Sequence, residues 1–175
     1  MNQNLRVSHA GENAMRAREG VVHHYYDRDG GRNCTYGIGT LVHPGPCTAE
    51  ELRRHVTEAQ INEPFHARTE TAARAVRSAV TQTPLTQEQF DALVSLTYNL
   101  GARGARNVLA DVNRGDFHRA TQRMMQATGV VHRDAHGNPV TGADGHVLMD
   151  HPPGLVNRRA AESAPFRNQP QGPRR

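Results

Sequence analysis

Lysine and tryptophan are absent from this sequence, and the absence of lysine limits the chemistry available to it. All 21 basic residues are arginine. Because a Schiff base needs a lysine amine and a P-loop needs a lysine at the phosphates, both mechanisms are excluded. The chain also lacks the run of about 18 apolar residues that a transmembrane helix requires, and its first residues lack the apolar stretch of a signal peptide. We therefore expect a protein that spans no membrane and is made in the cytoplasm without a secretion signal.

The size and charge of the chain favour a single domain that acts on an acidic partner. A length of 175 residues, 36% of them hydrophobic, is enough to bury a core but excludes a large multidomain machine. A net charge of +4 favours a cell wall, a nucleic acid or an anionic lipid as partner. The arginines are scattered among acidic residues, and no RNP-type aromatic block or helix-turn-helix pattern is present. We therefore expect no nucleic-acid binding.

Only two cysteines are present, Cys34 and Cys47. They are too few for a four-cysteine metal cluster. They can form one disulfide in an oxidising compartment, or they can remain as two buried thiols. Both alternatives stay open at this point. Ligand-type residues also gather between His132 and His151, but their spacing matches no short metal motif, so we expect a solvated loop, no metal and no cofactor.

Helix and turn signals predict an α+β chain in which a hairpin precedes a set of helices. Ser8 and Gly20 are typical of the two ends of a first helix over residues 9–19. Residues 21–40 are rich in β-formers around a Gly-rich turn, which predicts a hairpin. Further helices are predicted over residues 48–62 (ended by Pro64), 66–81, 86–101 (nearly all apolar and therefore buried), 105–113, 116–128 and 155–163, with an excursion of two turns or a small hairpin over residues 132–153.

A carboxylate at the end of the first helix and carboxylates in the following turn suggest acid-base chemistry. Glu19 ends the helix, Asp27 and Asp29 lie at the hairpin turn, and Thr35 lies on the returning strand. Hydrolysis of a glycosidic bond needs one protonated carboxyl to donate to the leaving oxygen and one carboxylate to activate water or to stabilise the oxocarbenium ion. Taken alone, this pattern is weak, because both features are also ordinary structure.

Three blocks in the same order strengthen this interpretation. The first contains Glu19-Gly20, Asp29, Thr35 and the segment GIG at 37–39, and the others are QFDALVSLTYNLG at 89–101 and GLVNRRAAE at 154–162. The set resembles the phage-type lysozymes of glycoside hydrolase family 24, in which Glu, Asp and Thr follow the pattern E-x8-D-x5-T. The resemblance implies a two-lobed lysozyme fold, with a cleft between a small hairpin lobe and a mainly helical lobe.

The same resemblance implies a role for each matching residue. Glu19 corresponds to the general acid, Asp29 to the residue that positions or activates water, and Thr35 to the residue that holds this water. Arg158 is a candidate partner of Glu19, and Asn99 is a candidate for hydrogen bonding to sugar, although it can equally be a polar residue near a helix end.

The match departs from the family pattern in the hairpin. Nine residues instead of eight separate Glu19 from Asp29, so that Asp27 competes with Asp29 as the second carboxylate. The sequence also departs from the family pattern in its lack of tryptophan and in the excursion over 132–153, both of which bear on the substrate rim. An inverting mechanism is implied, and with it a carboxyl separation of roughly 6.5–9.5 Å.

These observations predict a muramidase domain over residues 1–165, with a hairpin lobe at about 20–47, a helical lobe at about 48–164 and a flexible tail at 166–175. The expected activity is cleavage of the β-1,4 bond between N-acetylmuramic acid and N-acetylglucosamine in the periplasm, by a monomer. A phage endolysin and a secreted antibacterial effector fit equally well, and only an effector needs an immunity or inhibitor protein. The alternative is a catalytically weakened peptidoglycan-binding module of a phage tail or secretion apparatus.

Overall fold

The computed structural model describes residues 1–28, 32–134 and 136–167. Within these residues a small antiparallel sheet precedes a larger set of helices, as predicted. No helix in these three segments is long and apolar enough to cross a membrane. The elements are α1 (His9–Glu19), β1 (Val22–Arg28), β2 (Asn33–Gly37), β3 (Thr40–Pro44), a 3-10 turn (Glu51–Arg53), α2 (Glu58–Ala79), α3 (Gln87–Asn113), α4 (Phe117–Gln126), β4 (Val130–Val131), β5 (Met149–Asp150) and α5 (Pro153–Arg167).

The predicted hairpin is present and is extended by a third strand. Strands β1, β2 and β3 form one antiparallel sheet in that order. Tyr26 on β1 pairs with Thr35 on β2, so the candidate threonine lies in the central strand. Gly37 has a φ of +60°, and a Cβ there would lie 3.0 Å from the Ile61 side chain of α2. Glycine at this position therefore allows the sheet to approach the helical lobe closely.

The prediction of two helices separated at Pro64 is wrong. One helix, α2, runs through Pro64, and it begins with a capping box between Thr57 and Gln60. The pair Thr48 and Glu51 does form the reciprocal hydrogen bonds of a capping box, but these enclose only the short 3-10 turn. Proline costs a helix one backbone hydrogen bond. Burial of apolar residues on both sides of Pro64 offsets that cost.

The core is centred on the first half of α3, as its almost continuous apolar run predicts. Thr86 and Gln89 form the predicted capping box. Four large apolar side chains that follow are completely buried: Phe90, Leu93, Val94 and Leu96. The helix is interrupted at Gly101, where φ is +72° and ψ is 162°, so the predicted end at this glycine is a break between two helical segments. The break changes the direction of the chain just after the candidate residue Asn99.

The last helix continues further than predicted. Helix α5 runs through Pro165 to Arg167, and Phe166 is only 2% exposed. Phe166 packs against the Phe117 ring of α4, with 5.8 Å between ring centroids. The beginning of the predicted tail, residues 166–175, is therefore part of the core, and burial of the Phe166 ring offsets part of the cost of the proline. Residues 168–175 lie outside the described residues.

The predicted excursion between α4 and α5 is a small three-segment meander. Strands β4 and β5 pair at its base, and isolated bridges join Arg133 to Pro139 and Thr141 to Val147. Its tip contacts the sheet lobe, because the guanidinium of Arg32 donates a 3.1 Å hydrogen bond to the carbonyl oxygen of His136. The meander therefore joins the helical lobe to the sheet lobe at a point directly after the hairpin turn.

Candidate active site

Glu19 is the last residue of α1, and the end of this helix fixes its position. Gly20 follows with a φ of +72°, a conformation that favours glycine, and its N–H donates to the carbonyl of Arg16. The chain then turns directly into β1. The Glu19 side chain is 24% exposed, so its carboxyl is partly shielded but remains accessible to a ligand.

Arg158 holds the Glu19 carboxylate from the far end of the chain. Its Nη1 lies 2.6 Å from Glu19 Oε1, and the arginine side chain is 8% exposed. The same guanidinium donates to the carbonyl oxygen of Ser95 and to Glu162 Oε1. The structure thus brings together Glu19 and Arg158, as the resemblance implies, and adds a second carboxylate to the same arginine. Three helices, α1, α3 and α5, meet at this point.

Asn99 lies next to this cluster. Its side chain is exposed, and its Oδ1 accepts a hydrogen bond from Nη2 of the buried Arg159. Arg159 also donates to the carbonyl oxygen of Ala127, which anchors it to the end of α4. The amide oxygen has a second lone pair and the amide nitrogen carries two N–H groups, so Asn99 can still accept from and donate to a sugar.

Thr35 is buried in the sheet lobe. Its side chain is 3% exposed, and its hydroxyl donates a 3.1 Å hydrogen bond to the carbonyl oxygen of Tyr26 on the neighbouring strand. A hydroxyl that donates in this way still has lone pairs that accept a hydrogen bond from water. The proton of the Thr35 hydroxyl is thus committed to the sheet, and its lone pairs are what remains for a water molecule.

Of the two aspartates that are candidates for the second carboxylate, only Asp27 lies among the described residues. Asp29 lies outside the described residues. Asp27 is on β1, and its Oδ1 accepts a 2.6 Å hydrogen bond from the backbone N–H of Cys47. This contact gives Asp27 a structural role, because it ties the first strand to the segment that follows β3.

Cys34 and Cys47 form a disulfide, with a Cα–Cα distance of 4.7 Å. It joins β2 to the segment after β3, next to the contact of Asp27. The Cys34 sulfur also lies within 4.8 Å of ligand atoms of His43 and Glu51. Metal ligation by cysteine requires a thiolate, and a disulfide sulfur is not one. The Glu51 carboxylate is instead engaged by Thr48, whose backbone N–H and hydroxyl hold the pKa of Glu51 down at about 2.

We expect loss of the disulfide to destabilise the fold by about 3 kcal/mol, since the bond closes a short loop in the unfolded chain. The variant is Cys34→Ser combined with Cys47→Ser, and urea denaturation measures the change. The wild type treated with a phosphine reductant is the matched control and should lose the same amount. Identical urea midpoints for the oxidised and reduced wild type would contradict the prediction.

Sequence reasoning missed Tyr98 as a residue of this site, because it lies within the apolar run of α3. It is 9% exposed, and its buried hydroxyl has no hydrogen-bond partner among the described residues. The guanidinium of Arg68 lies 4.5 Å from the centre of its ring. Burial raises the pKa of the Tyr98 phenol; Arg68 opposes the shift and the negative charge of Glu19 adds to it. The phenol therefore lies within electrostatic range of the candidate acid.

Tyr98→Phe should stabilise the protein by about 1 kcal/mol, because it removes a buried polar group that has no partner. Tyr25→Phe is the control, since the Tyr25 side chain is only half-buried and its hydroxyl is not an unpaired buried group. Urea denaturation of the two variants against the wild type measures the difference. A loss of stability in the Tyr98 variant would show that its hydroxyl is bonded after all, for instance to ordered water.

Comparison with known proteins agrees with this geometry. The chain matches the phage lysozyme family over residues 16–162, whereas no curated protein matches it in sequence. It resembles the muramidase domain of SpmX from Asticaccaulis excentricus, with 26% identity, coverage of 95% of this chain and 100% of that one, and a TM-score of 0.69. It also resembles the endolysin of Escherichia coli O157:H7 phage FAHEc1, with 26% identity, coverage of 94% and 95%, and a TM-score of 0.71.

A more distant neighbour shares the fold alone. The active form of the P1 phage endolysin Lyz is 18% identical, covers 94% of this chain and 86% of its own, and has a TM-score of 0.64. The lysozyme-like fold predicted from the three sequence blocks is thereby confirmed. Because the family match includes both Glu19 and Arg158 and extends over most of the sequence, the chain belongs to the phage lysozyme family.

Proposed function

We propose that this protein is a muramidase that cleaves the β-1,4 bond between N-acetylmuramic acid and N-acetylglucosamine. Membership of the phage lysozyme family makes it a peptidoglycan hydrolase. The observation that carries the proposal for the chemistry is the position of Glu19, a partly exposed carboxyl at the end of α1 that Arg158 holds from α5. In this assignment Glu19 donates a proton to the leaving glycosidic oxygen.

The second half of the reaction is assigned to the sheet lobe. Asp29 activates or positions the attacking water, and Thr35 accepts a hydrogen bond from it with the lone pairs that its contact to Tyr26 leaves free. Attack of water on the face opposite the leaving group inverts the anomeric centre, and it requires carboxyls roughly 6.5–9.5 Å apart. Asn99 and Arg158 complete the helical side of the site, where Asn99 binds sugar and Arg158 orients Glu19.

Analysis of the products tests the bond and the stereochemistry together. Purified sacculi are digested, and the new reducing ends are labelled by borohydride reduction and identified by mass spectrometry. A muramidase gives reduced muramic acid; reduced glucosamine would contradict the assignment. Proton NMR taken within the first minutes on a soluble glycan should show the α anomer, since inversion converts the β bond. An initial β anomer would overturn the inverting mechanism.

The same digestion separates the enzyme from the alternative, a weakened peptidoglycan-binding module. A binding module sediments with sacculi but releases no fragments, whereas an enzyme clears a suspension of permeabilised Gram-negative cells. We propose that the protein acts as a monomer at the cell wall, in the periplasm, which sedimentation of the purified protein and assay of cell fractions test. Co-purification with an immunity or inhibitor protein encoded next to it would favour a secreted effector over a phage endolysin.

A further inference from the structure

A second carboxylate, Glu162 on α5, contacts the same arginine as the candidate acid and is almost completely buried. Its side chain is 1% exposed. One of its oxygens, Oε1, accepts from the Ser95 hydroxyl at 2.6 Å and from Arg158 Nε at 3.1 Å, and the other, Oε2, accepts from Arg159 Nη1. Glu162 therefore has a partner on α3 and two on its own helix, and one of these is the arginine that also holds Glu19.

Arg158 is thus divided between two carboxylates. Its Nη1 contacts Glu19 at 2.6 Å, while its Nε contacts Glu162 at 3.1 Å. An arginine dedicated to Glu19 alone would strongly favour the ionised carboxylate. A general acid must instead carry its proton when the substrate binds. The contact that orients an acid consequently also favours the form that cannot donate a proton, unless a second carboxylate takes up part of the arginine's charge.

We propose that Glu162 is a positioning residue that shares Arg158 with Glu19, so that the arginine orients Glu19 without its whole charge acting on that carboxyl. This inference rests on the proposed role of Glu19 as the acid. Glu162 lies behind the arginine and is buried, so it acts through Arg158 and does not touch the sugar. The two carboxylates are held by two arginines, Arg158 and Arg159, and Arg18 reaches the Ser95 hydroxyl beside them.

The other charged and polar groups described around Glu19 do not supply a second negative charge to Arg158. From α1, Arg18 Nη1 donates to the Ser95 hydroxyl at 3.3 Å. From α3, the Tyr98 phenol is buried, and from α2, Arg68 lies over its ring. These groups supply positive charge or a neutral phenol. Among the described residues that surround Glu19 at this point, Glu162 is the group that brings negative charge to Arg158.

The test is the pH dependence of kcat and of kcat/KM for a soluble peptidoglycan fragment. Glu162→Gln leaves Arg158 with Glu19 as its one carboxylate partner, and the acid then loses its proton at lower pH. We expect the alkaline limb of the profile to move down by about one pH unit, with KM changed little. Above that limb the rate should fall about tenfold per pH unit.

Asp111 provides a matched control for Glu162. It is likewise 1% exposed and is held by arginines, with Arg114 and Arg123 close and Arg119 at 3.9 Å, and none of these is the arginine that holds Glu19. Asp111→Asn likewise removes the charge of a buried carboxylate, and it should leave the pH profile where it is. A profile displaced equally in both variants would show a general effect of removing a buried carboxylate, and it would overturn the proposal.

If Glu162→Gln does not fold, the double variant Arg159→Met with Glu162→Met serves in its place, because a buried ion pair can be replaced by apolar side chains at little cost. It removes the same carboxylate from Arg158 and should move the alkaline limb in the same direction. An unmoved limb in the folded variant overturns the inference. Glu19→Gln separates the two inferences. If that variant keeps its activity, the role of Glu19 as the acid fails, and the role of Glu162 fails with it. If it is inactive and the limb is unmoved in the Glu162 variant, only the role of Glu162 fails.

Discussion

Glu19→Gln should lower the rate of peptidoglycan hydrolysis by about two to four orders of magnitude, a loss typical of removing general acid catalysis. The glutamine amide keeps the shape of the side chain but cannot protonate the leaving oxygen. Release of soluble fragments from sacculi, followed over time at equal enzyme concentration, measures the loss. Folding should remain intact, because Arg158 keeps Glu162 and the Ser95 carbonyl as partners.

Glu12→Gln is the control for this variant. Glu12 lies on the same helix and loses only a contact of 3.5 Å to His66, an exposed histidine of α2. An exposed pair of this kind contributes about 1 kcal/mol or less. We expect its lysis rate and its melting temperature to match those of the wild type. Retained lysis in the Glu19 variant would remove Glu19 as the acid, and similar losses in both variants would point to damage to α1.

Asp29→Asn should lower hydrolysis by about two orders of magnitude or more, because the neutral amide no longer activates the attacking water. Asp27→Asn should have little effect on the rate. The amide oxygen of asparagine can still accept the hydrogen bond from the backbone N–H of Cys47, so the segment after β3 stays attached to β1. The two variants differ by one carboxylate each, on the same hairpin, and are assayed on sacculi side by side.

Three results are informative. A loss confined to the Asp29 variant supports Asp29 as the second carboxylate, the residue that lies five intervening positions before Thr35 as in the family pattern. A loss confined to the Asp27 variant would transfer the role to Asp27 and give its contact with Cys47 a catalytic meaning. Full activity in both variants would refute the mechanism with two carboxylates.

Local sequence signals determined the ends of several elements correctly. Ser8 and Gly20 frame α1, and Thr86 with Gln89 caps α3, as these residue types predict. Such signals work because a cap satisfies backbone groups within a few residues of itself. The same reasoning failed at Pro64, where the local cost of a proline was outweighed by the burial of Ile61 and Phe65, a gain that depends on α3 and the sheet.

For the site, the residues and their order identified the family, since Glu19, Thr35, the core helix and the segment that contains Arg158 follow one another as in phage-type lysozymes, with one extra residue in the hairpin. Only the tertiary structure decided how these residues interact. Arg158 and Glu19 are separated by 139 positions in the sequence, and nothing in their spacing shows that the arginine is shared with Glu162 or that the Tyr98 hydroxyl is unpaired. Sequence patterns report the periodicity of one element, whereas the charge around a buried group is the sum of contributions from every helix packed against it.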